Sequence, residues 1–145
     1  YIIRGLVFML MHSIQAGMST VYKKETTVAD AHSSSSSAGL DFLLSTPAVL
    51  KMVIDASANM LDKLLPQEYV TAGKHLELEH EKPTLIGEKI TITVKVDKVE
   101  DNRVFLNIIG EDDNGIFCTG NYERVILERS RLLDYAYKRA NKQSL

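Results

Sequence analysis

Residues 45–65, STPAVLKMVIDASANMLDKLL, read as one helix that is apolar around most of its circumference. Thr46 is placed to cap the first turn, and Pro47 follows at the first helical position, where its missing N–H costs nothing. Val49, Val53, Ala56, Met60 and Leu64 recur at helical spacing, and Leu50, Ile54 and Leu61 widen the stripe. Lys51, Asp55, Asn59 and Asp62 confine polarity to a narrow opposite sector at ~100° per residue. So wide an apolar stripe needs cover on several sides. The segments around it read as strands, so the expected cover is a sheet wrapped about the helix.

Before the helix, residues 19–31 mix Thr, Val and Tyr with charges, as an edge strand does. His32 and the serine run 33–37 form a polar connector with no means of burying itself, and residues 40–44 lead back into the core. After the helix, Pro66 ends the periodic segment and Tyr69 opens an extended run that Gly73 interrupts, the mark of a bulge or of a close approach by another group. From Lys74 the residues alternate. Leu76, Leu78 and His80 share one face; His75, Glu77 and Glu79 share the other. The parity sends His80 inward with the leucines.

Ile90, Ile92, Val94 and Val96 alternate with Thr91, Thr93, Lys95 and Asp97 as a half-buried strand. Asp101-Asn102 makes a turn before a strand carrying Val104, Leu106 and Ile108. Asn114-Gly115 signals a hairpin into a strand over 116–127. In the tail, 128–142, Leu132, Leu133, Ala136 and Tyr137 fall on one face of a charged helix expected to dock on the surface. The sum is an α+β layout: a five-stranded antiparallel sheet around one long central helix, plus a C-terminal helix. One helix cannot cover five strands, and a long exposed strand is usually paired or shielded, so a homodimer is expected.

At 145 residues with 45% hydrophobic content, the chain suffices for one domain with a real core. A net charge of −2 argues against a binder that tracks nucleic-acid phosphates. One cysteine, Cys118, excludes an internal disulfide framework and a Cys-based metal cluster, and a reducing cytoplasm is the expected compartment. The apolar run at the start breaks at His12 and Ser13, short of the roughly 20 residues a membrane span needs, and only Arg4 supplies basic charge ahead of it. Residues 1–17 are therefore set aside as an N-terminal extension of open origin, and 18–145 are taken as the single domain.

Three stretches resemble the fluoroacetyl-CoA thioesterase branch of the hotdog-fold thioesterases: Ser45-Thr46-Pro47-Ala48; Ala72-Gly73 through Glu79-His80 to Lys82-Pro83-Thr84; and Thr119-Gly120-Asn121-Tyr122-Glu123-Arg124-Val125. The order of elements resembles the hotdog fold as well. The resemblance implies hydrolysis of a small or medium acyl-CoA thioester without a metal, the CoA entering only as part of the substrate. It places the catalytic threonine on Thr46, the catalytic histidine on His80, a substrate-site glycine on Gly73 and an arginine on Arg124. Ile54 stands where the family has a glutamate, and Asp55, one residue on, is the candidate auxiliary acid.

The chemistry fits these residue types. An inward His80 is kept neutral by burial and suits a general base; Thr46 offers a hydroxyl at a helix N-terminus, where free N–H groups favour an oxyanion; Arg124 is able to hold a carboxylate or CoA phosphate bidentately. Each has a structural alternative. Thr46 also reads as a plain cap, His80 as a satisfied core histidine, Asp55 as a solvated helix residue, Arg124 as a partner of Glu123, and Gly73 as a bulge without a ligand. Cys118 reads as a small core residue. Against the thioesterase stands a non-catalytic acyl-CoA-binding module, motivated by Ile54, with a dehydratase a more distant third.

Overall fold

The computed structural model describes residues 13–31 and 39–142, so His32 and the serine run lie outside the described residues. Five strands, β1 (Ser19–Glu25), β2 (Tyr69–His80), β3 (Lys89–Glu100), β4 (Arg103–Asp112) and β5 (Gly115–Glu128), form one antiparallel sheet in the order β1-β3-β4-β5-β2. The long helix α1 (Thr46–Asp62) packs on its inner face against β1, β2 and β3. This is the α+β architecture expected.

Alternation explains which face is which. Ile90, Ile92, Val94 and Val96 of β3 and Val104, Leu106 and Ile108 of β4 are almost wholly buried, while Thr91, Thr93 and Lys95 face outward. Fully burying each such side chain contributes about 1.5–3 kcal/mol of transfer free energy. On α1, Val49, Met52, Val53, Ala56, Ser57, Met60 and Leu61 are buried. Ser57 is tolerated there because its hydroxyl donates to the Val53 carbonyl at 2.6 Å. Ile54 falls outside that arc and is 39% exposed, so the buried stripe is narrower than expected.

Four details differ from expectation. Ser45, not Thr46, is the N-cap: its hydroxyl accepts the Ala48 N–H at 3.1 Å, leaving Pro47 as the second helical residue. β1 stops at Glu25, because Thr26 donates its hydroxyl to the Glu88 carbonyl (2.9 Å) and Asp30 accepts the Thr27 N–H (2.9 Å), which turns the chain. The β4–β5 hairpin turns through Asp113 and Asn114, with Asp112 and Gly115 paired and Gly115 at φ 119°. Finally, the tail helix α2 (Arg129–Lys142) buries none of its side chains among the described residues of the protomer, in place of the expected docking on the domain surface.

The core begins upstream of residue 18. Ile14 is 4% exposed within the core cluster, and Gly17 donates its N–H to the Val96 carbonyl at 2.8 Å. β1 and β2 are the two edges of the sheet.

Candidate active site

His80 is the last residue of β2, on the same inner face as Leu76 and Leu78. The N-terminus of α1 comes to it from the opposite layer. Because Ser45 caps the helix, the Thr46 hydroxyl is free to reach sideways, and its Oγ1 lies 2.8 Å from His80 Nδ1. The contact joins residues 34 apart in sequence. It takes either direction: Thr46 donates when Nε2 carries the ring hydrogen, and Nδ1–H donates when it does not. The first form is the one in which His80 acts as a base toward Thr46.

Surroundings tune the ring. Phe117 meets it edge-on at 66°, with centroids 5.6 Å apart. Burial lowers the His80 pKa below its ordinary 6.5, since removing water penalises the imidazolium. Nε2 is buried with no hydrogen-bond partner among the described residues. Cys118 is the cross-strand register partner of His80, and burial pushes its thiol up to about 11, so it remains protonated and is no nucleophile.

Asp55 does not orient His80 within the protomer. Its carboxylate accepts from Lys51 Nζ at 2.7 Å, one turn earlier on the helix, and its side chain is 55% exposed. The reason is helical phase: Asp55 lies on the sector turned away from the sheet. Of the α1 first-turn donors, Pro47 has no N–H, Ala48 bonds the Ser45 hydroxyl and Val49 bonds the Ser45 carbonyl. Among the described residues, the free donor beside the Thr46 hydroxyl is therefore Thr46's own N–H, fewer than expected from an open helix end.

Gly73 and Arg124 are paired with each other and not with His80. They are register partners across β2 and β5, where β2 also slips by one residue between Gly73 and His75. Seven residues of strand, about 23 Å, separate this corner from His80. Arg124 is 5% exposed and turned inward, so it is not the partner of Glu123, which faces outward and takes two bonds from Arg103 at 3.0 Å each. Its Nε donates to Thr71 Oγ1 (2.8 Å), Nη2 to the Thr71 carbonyl (2.6 Å) and Nη1 to the Tyr122 hydroxyl (2.6 Å). The Thr71 hydroxyl in turn donates to Asp62 Oδ1 at 2.6 Å, which relays negative charge toward the guanidinium. Gly73 is needed where Tyr122 lies across the strand: a Cβ there would sit 2.6 Å from the Tyr122 hydroxyl. Sequence reasoning missed Tyr122 and Thr71 as this arginine's partners, with Asp62 behind Thr71, although Tyr122, Arg124 and Ile126 share the parity of an inward face.

With this geometry in view, comparison with known proteins is decisive at the family level. Residues 21–130 match the family described as fluoroacetyl-CoA-specific thioesterase. The chain belongs to that family. Among solved structures, a hot-dog-like protein from Thermanaerovibrio acidaminovorans is 31% identical, with a TM-score of 0.80 over 86% of this chain and 91% of that one. A thioesterase superfamily member from Thermus thermophilus is 19% identical, with a TM-score of 0.79 over 92% and 97%. The fluoroacetyl-CoA thioesterase itself is 14% identical, with a TM-score of 0.76 over 87% and 97%, a likeness that shows the shared fold. A search of curated proteins finds no match. This member of the family thus carries a hotdog sheet and helix, with Thr46 and His80 in contact and Ile54 on the exposed edge of α1.

Proposed function

We propose that the protein hydrolyses a small or medium acyl-CoA thioester, and that the contact of Thr46 Oγ1 with His80 Nδ1 at 2.8 Å is the feature that carries this reading. Thr46 attacks the thioester carbonyl carbon as His80 Nδ1 takes its proton. The oxyanion forms beside the Thr46 N–H and the positive end of α1. As the C–S bond breaks, the imidazolium returns the proton to the departing CoA sulfur, leaving an acyl-Thr46 ester. Water, deprotonated by the same histidine, then attacks the acyl carbon; the C–Oγ1 bond breaks, the acid leaves and the histidine returns the proton to Thr46 Oγ1. No metal enters these steps. Support for a short acyl group comes from the fluoroacetyl-CoA-specific thioesterase, variants of which have been solved with fluoroacetate and CoA and with acetyl-CoA.

A homodimer completes the proposal. β2 is a 12-residue edge strand whose start is covered at Thr71 by Asp62 and Arg124, which leaves the later part, residues 74–80, as the row for pairing. Antiparallel pairing of two β2 strands about a twofold axis near the middle of the strand brings the Gly73 end of the partner strand toward His80. The split of Thr46 and His80 from Gly73 and Arg124 within one protomer supports this arrangement.

A thiol-release assay across acyl-CoAs from acetyl to decanoyl tests the proposal. Release peaking at one chain length is expected. Binding of acyl-CoA by calorimetry without release favours instead the non-catalytic module, a reading that His80 Nε2 supports because it has no hydrogen-bond partner among the described residues.

The lowered His80 pKa carries a pH prediction. Between the unfolded value of 6.5 and the lower folded value, the unfolded chain binds more protons, so stability rises with pH across that window. The His80 contribution is complete above 6.5 and is lost as pH falls through the folded pKa. The acid limb of kcat/KM is expected to have its midpoint below 6.5, and a midpoint above 6.5 contradicts a desolvated base.

A further inference from the structure

We propose that α2 is a membrane-surface anchor that lies on anionic lipid. None of its 14 residues has a buried side chain. Leu132, Leu133 and Tyr137 are 42%, 55% and 69% exposed, and at ~100° per residue they join Ala136 and Ala140 in one apolar arc of about 140°. Beyond the arc, Arg131, Lys138, Arg139 and Lys142 fill one flank, Ser130, Asp134 and Asn141 stand on the other, and Arg129 lies within the arc at the helix start. Arg129, Arg131, Lys138, Arg139 and Lys142 stand against Asp134 alone, a net +4 in a protein whose total is −2, so the rest of the chain carries −6. Only Arg131 is engaged in an ion pair among the described residues, with Glu128 at 3.1 Å.

An apolar arc flanked on one side by Lys and Arg, on a helix too short and polar to span, is the composition of a helix lying in the headgroup plane. Tyr135 and Tyr137 add rings suited to that boundary. Charge decides among occupants. Two copies meeting α2 to α2 set +4 against +4. Seating α2 on the acidic body of another copy is the competing arrangement, and it would show as a change of oligomeric mass when the leucines are replaced. A nucleic acid leaves the apolar arc unused. An anionic bilayer satisfies both the basic flank and the apolar arc.

Co-sedimentation of the full chain with vesicles of phosphatidylcholine alone, and with one-third phosphatidylglycerol, tests this. Binding to the anionic vesicles only is expected. The double variants Leu132→Asp with Leu133→Asp, and Arg131→Glu with Lys138→Glu, are each expected to weaken it about tenfold or more, since each basic residue near an anionic surface is worth about fivefold. Both pairs lie on an exposed helix, so the fold survives, as circular dichroism verifies. Failure of the unaltered protein to sediment with anionic vesicles overturns the proposal. So does loss in the charge variant alone, which marks adsorption to any polyanion, or a change of oligomeric mass in the leucine variant, which makes a second copy the occupant.

Discussion

Replacing His80 with alanine is expected to lower kcat/KM for thiol release about 1,000-fold, within the range that a positioned general base supplies. The loss has two parts. Thr46 loses the acceptor 2.8 Å from its hydroxyl, and the departing sulfur loses its proton donor. Acyl-CoA affinity should change little, because the ring sits against Phe117 and offers no charge to a phosphate at neutral pH. The fold should persist, since His80 Nε2 has no bond to lose and the side chain lies at the end of β2. Unchanged release in a folded His80→Ala protein would show that another group does the chemistry.

The second large effect is on stability. Arg124→Leu is expected to cost about 3 kcal/mol, because the Tyr122 hydroxyl and the Thr71 carbonyl and hydroxyl lose a buried charged donor, and Asp62 loses the positive charge it faces through Thr71. For a domain of this size that corresponds to a fall of about 10 °C in Tm. An arginine whose work is to clamp substrate behaves otherwise: Tm stays put and KM rises. That result would contradict the internal role the hydrogen bonds assign to it.

These effects mark where sequence reading succeeds and where it stops. Alternation in β3 and β4 names the buried residues because one face is covered and the other wet, so the period is unambiguous. The same parity turns His80 inward, and helix periodicity places Thr46 at the start of α1. Whether Ser45 or Thr46 caps the helix is not readable, since both are good caps and adjacent; tertiary contact decides, and it frees the hydroxyl that reaches His80. Asp55 is turned from His80 within the protomer for a related reason. A carboxylate near the right position is visible in sequence, but its direction depends on a helical phase that leaves it with Lys51. For α2 the amphipathic pattern shows that a face exists and cannot show what covers it.

A double-mutant cycle on thiol release, with Thr46→Ala, His80→Ala and the two combined, tests the Thr46–His80 pair most directly. Residues that act as one unit lose their effect once. The double variant should be within about threefold of the slower single variant. If the two losses multiply instead, Thr46 and His80 act independently, and the 2.8 Å contact is not the catalytic dyad.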